Sequence, residues 1–456
     1  MRTRPVGATI GVTGGRAAEG VVTLTRESVG AGAPSDAGRR PGLGALAALA
    51  AVVGVLAALG AALFSSLVHL VEGWLWESVP HAMGRAEAPW WWVLLLLVIG
   101  AVGVAGATRL PGHGGHRPLD GLAFDITPRE LPSTLLATSS SLVFGAVLGP
   151  EAPLLAIGSS IGFAVHRRMR SPASRVLVMA GAAAGLGVVL GNPAVTALLV
   201  LEAAFLSARP SPERPLGMMV VILVALGAGY LVRIGVGGWS GVHVPELSMG
   251  DIGSYPAVRV TDLLVGAGVA VVVAALVVAA TRGAEAASRV GASRPSAALV
   301  TGALVIGGLA VVVRAVTGAE VGTVLFSGQQ ALGGVGSTAG GTLLVIVLAK
   351  AAAYAVSLGT GFRGGIIFPA VFLGAAVGAA AAALVPGTSL APMVACGIAA
   401  GAAAAAGLPV TALVLALLLC LSAGPAVTVP AILGAVGGAM AKAFARARRP
   451  APARGD

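Results

Sequence analysis

Gly145-Ala-Val-Leu-Gly-Pro-Glu-Ala-Pro-Leu-Leu-Ala-Ile-Gly158 and, 216 residues later, Gly361-Phe-Arg-Gly-Gly-Ile-Ile-Phe-Pro-Ala-Val-Phe-Leu-Gly374 carry the same punctuation. Gly145 falls on Gly361, Gly149 on Gly365, Pro153 on Pro369 and Gly158 on Gly374. The register holds outward without a gap. Ser141-Leu142 falls on Ser357-Leu358, Gly162 on Gly378, Gly181 on Gly397, Gly185 on Gly401, Gly191 on Gly407 and Pro193 on Pro409. A repeat in one register predicts two related halves of one fold.

The rest of the chain places this repeat in a membrane. Of 456 residues, 57% are apolar and 10% charged. Leu43–Leu70 contains no formal charge, and neither do Trp90–Thr108, Leu263–Thr281 and Pro295–Val313. Each is close to or above the roughly 20 residues that a spanning helix needs. Ile366–Ala441 is uncharged throughout, and its prolines and glycines cut it into several helices. The expected fold is therefore all-α and polytopic. Two repeated halves, about 42–235 and 258–445, make up a transport domain over 42–445. In transporters, repeated halves meet near the bilayer midplane through broken helices. Whether the halves are inverted depends on an odd number of crossings per half, which the sequence leaves open.

The net charge of +11 does not indicate nucleic acid, because the arginines lie at the ends and in one loop. Arg2, Arg4, Arg16, Arg26, Arg39 and Arg40 precede the first apolar run. Arg446, Arg448, Arg449 and Arg454 follow the last, and Arg167, Arg168, Arg170 and Arg175 share a short connection. The positive-inside rule then puts both termini in the cytoplasm of a multi-pass cell-membrane protein, beside the lipid surface. Residues 1–41 read as a disordered basic tail without the apolar core of a signal peptide, and 446–456 as a second basic tail. Cys396 and Cys420 lie in apolar stretches and read as buried small side chains, with no disulfide, metal site or cofactor implied.

Glu151 is the residue with a job to explain. A carboxylate at membrane depth is costly and marks function. Proline in the first helical turn is tolerated, so Pro153, Pro193, Pro369 and Pro409 read as helix starts inside the membrane. The N–H groups and positive dipole ends at such starts suit an anion.

These residues resemble the CLC family of chloride channels and proton-coupled anion exchangers. Gly149-Pro-Glu-Ala-Pro153 looks like that family's gating-glutamate segment, and Gly364-Gly-Ile-Ile-Phe-Pro369 like its second-half counterpart. Lys350 and Ala355-Val-Ser-Leu-Gly359 also fit. The resemblance covers roughly 43–445. It implies a homodimer with one pore per subunit, chloride as the default ion, protons as a second substrate in some members, and Glu151 as the gate. It also implies backbone anion contacts around Gly149, Pro150 and Ala152, and around Gly365, Ile366, Ile367 and Phe368.

The departures bear on mechanism. The basic residue before the family's glutamate is Pro150, and the glycine after it is Ala152. The family's serine-bearing pore loop corresponds to Gly114-Gly-His-Arg-Pro118, where Gly115 takes the serine position. His113, His116 and Arg117 are the donors nearby, though a solvated surface turn is the simpler reading. The pore tyrosine near the C-terminus is absent. The inner relay carboxylate falls on Ala203, beside Glu202, which serves either as a displaced relay or as a helix-end charge. Loss of relay points to uncoupled conduction. Lys350 reads as a helix-end charge that snorkels. Alternatives are another small ion such as fluoride, or a non-transporting receptor or scaffold, which leaves Glu151 and the repeat unexplained. An intramembrane enzyme lacks support, since no His-Glu-x-x-His motif occurs and the six histidines do not cluster.

Overall fold

The computed structural model describes residues 42–207, 215–236, 238 and 247–448. The expected tails over 1–41 and 449–456 lie outside them. Fourteen helices organise the described residues, counting the short α-turn after the π-turn Trp74–Ser78 with the first helix. The first seven are α1 (Leu43–Ala82), α2 (Trp90–Ala107), α3 (Leu131–Leu142), α4 (Glu151–Met169), α5 (Val176–Leu190), α6 (Pro193–Ser207) and α7 (Pro215–Val236). The second seven are α8 (Val260–Gly291), α9 (Pro295–Thr317), α10 (Gly340–Thr360), α11 (Ile367–Leu384), α12 (Leu390–Ala406), α13 (Pro409–Leu419) and α14 (Thr428–Ala447). Among the described residues, eight helices are long and apolar enough to cross a membrane. The last helix runs two residues beyond 445, so the first residues of the expected C-terminal tail are helical.

Each helix has its mate seven helices later. In the first half α1, α5 and α7 pack on one another; in the second, α8, α12 and α14 do the same. Across the halves, α2 meets its own mate α9, and α6 meets α13. Equivalent elements that touch each other are the mark of a two-fold relation.

Small residues make this packing possible. On α1 the inward positions are Ala50, Val53, Gly54, Ala57, Ala58 and Ala61. Leu56, Leu63 and Leu67 face outward. With lipid outside, polarity cannot sort the two faces; size does, because small residues let backbones approach. The closest approaches repeat across the halves. A Cβ on Gly158 would overlap the carbonyl of Gly181, and one on Gly374 that of Gly397. Gly162 is held against Leu177, and Gly378 against Met393, in the same way.

Two sequence expectations need correction. Pro193 and Pro409 do start their helices, but α4 begins at Glu151 and α11 at Ile367. Pro153 and Pro369 are therefore third residues, still within the first turn, where an N–H has no partner inside the helix. Lys350 does not snorkel. It is fully buried on α10, and its Nζ donates to the carbonyls of Thr323, Val324, Leu325 and Phe326 at 2.8–3.3 Å. The Phe372 ring lies 4.7 Å from the ammonium. Carbonyl oxygens freed by the irregular 321–326 segment substitute for water.

Candidate ion site at the junction of the halves

The site is built where two helices begin. α3 and α10 are each followed by a glycine at positive φ, Gly145 at 94° and Gly361 at 111°. The chain then runs briefly extended before α4 and α11 start. These two extended segments pair. Gly149 N–H donates to the Gly365 carbonyl at 2.9 Å, and Gly365 N–H to the Gly149 carbonyl at 2.6 Å. Each glycine thus bonds its own repeat mate. The flanking bonds are swapped as well. Val147 N–H donates to Ser357 Oγ at 3.0 Å, and Arg363 N–H to Ser141 Oγ at 2.9 Å. A two-fold axis through the glycine bridge relates one bond to the other.

The carboxylate breaks this symmetry. Glu151 is fully buried, and its Oε1 accepts the N–H groups of Ile367 at 2.9 Å and Phe368 at 3.0 Å. Ile367 is the residue that the repeat puts in place of Glu151. The first half therefore supplies a side chain that caps the start of α11 in the second. Its other oxygen, Oε2, has no protein hydrogen bond among the described residues. A Cβ on Gly149 or on Gly365 would overlap that oxygen. Both glycines are thus required by close approach, since the carboxylate lies across their Cα atoms.

The expected backbone contacts now divide. The N–H groups of Gly149 and Gly365 are spent on each other, and Pro150 has none, so these three drop out as donors to an ion. Ala152, Ile366, Ile367 and Phe368 remain, and the last two hold Glu151. Tyr354, which the sequence reading missed, donates its hydroxyl to the Ile366 carbonyl at 2.9 Å. Its signal was faint: it is one of three tyrosines in the chain.

Clefts approach this junction from two flanks. One is lined by Ser65, His69, Glu72, Leu148, Pro150 and Gln329. The other carries Gly114, His116 and Arg117 opposite Ala152, Gly365 and Ile366. The loop at Gly112–Gly115 is therefore beside the junction, with Gly114 buried and His116 and Arg117 exposed. A side chain on Gly115 would overlap Thr134, which itself lines this cleft.

Glu202 is engaged elsewhere. Its Oε1 accepts from Val410 N–H at 2.9 Å, and its Oε2 from Thr411 N–H and Oγ1, both at 2.8 Å. It caps the start of α13 from the other half. The mate helix α6 caps itself, with Asn192 Oδ1 accepting from Ala194 N–H at 2.8 Å. The repeat puts Leu408 where Asn192 would stand, so α13 borrows its cap. Between Thr411 and Ile367 lies a cleft of apolar side chains, among them Val195, Leu199, Ala412 and Leu415.

One further pattern is structural. Gly158-Ser-Ser-Ile-Gly162 has the Gly-x-Ser-x-Gly spacing of a nucleophile elbow, which needs a strand-to-helix turn. Here it lies inside α4, and Ser160 Oγ donates to the Ile126 carbonyl at 3.1 Å.

Fold and site together define a multi-pass helical membrane protein built around a buried, carboxylate-filled helix junction. The sequence pattern of the voltage-gated chloride channel family matches residues 112–446, and the chain belongs to that family. Among curated relatives it is 28% identical to "Putative ion-transport protein YfeO" of Escherichia fergusonii, over 72% of this chain and 77% of that protein. It is 29% identical to the protein of the same name in Salmonella paratyphi A, over 72% and 78%. Among solved structures, a slow cyanobacterial Cl⁻/H⁺ antiporter superposes with a TM-score of 0.72 at 18% identity, covering 88% of this chain and 94% of that one. A CLC-type fluoride/proton antiporter superposes with a TM-score of 0.65 at 17% identity, covering 88% and 96%.

Proposed function

We propose that the protein carries a small anion, chloride by default, across the membrane, and that Glu151 gates the path. The observation that carries this reading is the carboxylate bound to the N–H groups of Ile367 and Phe368. A helix start that holds a carboxylate holds an anion by the same means. While Glu151 occupies those donors, a permeant anion is excluded. Protonation removes the charge that the donors attract, and the side chain is released. Ala152 and Ile366 border the same junction on the side of one cleft, and Pro150 on the side of the other.

We further propose uncoupled transport. Glu202 spends both oxygens on the α13 cap, and Thr411 is the polar side chain in the otherwise apolar cleft towards Ile367. Beyond Thr411, the side chains of that lining are apolar, which supports a path without proton relay from Glu202 to Glu151. A homodimer with one path per subunit and both termini in the cytoplasm completes the proposal. Fluoride is the second reading, favoured by the absence of a hydroxyl side chain at Gly115.

The test is anion efflux from liposomes, with and without a proton gradient, for wild type and Glu151→Gln. Expected is chloride efflux that slows as pH rises in the wild type and loses that dependence in the variant. Efflux of no halide, or an unaltered pH response, refutes the gate. Chloride-driven proton uptake refutes the uncoupled reading, and fluoride outpacing chloride selects the second ion.

A further inference from the structure

Arg363 is the charge that the reading above leaves unused. It stands in Gly361-Phe-Arg-Gly-Gly365, where the first half has Val147. Its backbone is pinned to Ser141, but its guanidinium is another matter. The residue is 7% exposed. Nη2 makes one long contact, 3.4 Å to the His113 carbonyl. Nε and Nη1 have no protein hydrogen-bond partner among the described residues. Arginine keeps its charge at any physiological pH. A buried guanidinium without a counter-charge is strongly unfavourable. Among the described residues, Arg117 and Asp120 act on its charge in opposite senses. No ion pair joins it to an acid among the described residues.

Its position gives the missing charge a source. The Nε lies 3.5 Å from where a Cβ on Gly114 would stand, so the head group rests against that residue. Gly114 also lines the cleft shared with Ala152, Gly365 and Ile366. Gly112, His113, Gly114 and Gly115 all have positive φ, including the non-glycine His113 at 51°. Strain of this kind persists where the surroundings impose it. Here it aims the His113 carbonyl at Nη2 and leaves a residue without a side chain between the guanidinium and the cleft. The hydroxyls that line the cleft are engaged elsewhere: Thr134 donates to Glu130, and Thr138 to Thr134.

We propose that Arg363 is a specificity-determining residue of the anion path, its Nε and Nη1 edges binding a small monovalent anion that enters the cleft past His116 and Arg117. This rests on the anion-transport reading and adds a fixed positive charge to it, separate from the helix starts that Glu151 covers. The charge holds an anion beside the junction before the gate opens.

Two measurements test it on the full chain. Chloride titration of the purified protein, followed by calorimetry, reads binding without transport. Efflux from liposomes reads the chloride dependence and the nitrate-to-chloride ratio. Arg363→Gln is expected to weaken apparent chloride affinity by about tenfold or more, as loss of a charge-assisted contact implies. Arg363→Lys keeps the charge but not the planar head, and is expected to shift the nitrate-to-chloride ratio by roughly threefold while holding affinity within about threefold. Wild-type affinity in Arg363→Gln overturns the proposal. Should that variant fail to fold, an unchanged ratio in Arg363→Lys overturns it. A wild type that binds chloride through Arg363 but moves no anion refutes the transport reading instead.

Discussion

The hydroxyl of Ser141 accepts the amide N–H of Arg363 at 2.9 Å, joining residues 222 apart in the chain. Ser357 does the same for Val147. Both amides are buried, and each would lose its partner if the serine became alanine. Ser141→Ala and Ser357→Ala should each destabilise the protein by about 1–3 kcal/mol, the cost of an unsatisfied buried N–H. Thermal unfolding in detergent checks this. The two-fold relation predicts nearly equal losses, and a large loss in one variant with none in the other would contradict it.

Gly365 bears directly on the proposed gate. A methyl group there occupies the space of Glu151 Oε2, while the backbone bridge to Gly149 remains available. Gly365→Ala should therefore fold and expel the carboxylate from its N–H partners. Its efflux at neutral pH should rise above wild type and match Glu151→Gln. Retention of the wild-type pH profile would show that the carboxylate rests elsewhere.

Lys350 is a stability residue. Replacing it by methionine leaves the carbonyls of residues 323–326 facing an apolar chain. The expected loss is about 3 kcal/mol or more, since an unmet buried acceptor costs roughly 1–3 kcal/mol. Chemical unfolding in detergent measures it. A surface-reaching lysine would give a change within about 0.5 kcal/mol.

Glu202 separates cap from relay. Glutamine keeps one acceptor but turns its amide towards donors, so Glu202→Gln should cost about 1–2 kcal/mol of stability as a damaged cap. Chloride-driven proton uptake is expected in neither the wild type nor the variant, in keeping with uncoupled transport. Proton uptake in the wild type that falls in the variant at wild-type stability would restore the relay role.

Much of this architecture was legible because glycine and proline are visible in sequence. A glycine that lets two backbones touch, or a proline in a first turn, leaves a mark at a fixed position, and the 216-residue register collects those marks. Glu151 stood out because a carboxylate in an apolar stretch is rare. What was hidden depends on what a residue meets. Lys350 and Glu202 look like helix-end charges until their partners, some 25 and 209 residues away, are known. Gly149 and Gly365 read as ion donors, because nothing local says that each consumes the other's amide. Nothing in the sequence marks Arg363, because charge in a Gly-rich turn usually means solvent, and here the turn is buried.

The capping of α11 by Glu151 has a consequence for how two related halves can share one centre. Strict symmetry would place a second acid at 367, with its side chain reaching back towards the start of α4. Two carboxylates would then crowd onto the same axis, within a few ångströms, and mutual repulsion would keep one of them protonated or displaced. On the proposed gating reading, a pathway with two interchangeable plugs would have no defined closed state. Isoleucine at 367 removes that conflict and leaves a single occupant for the shared seat.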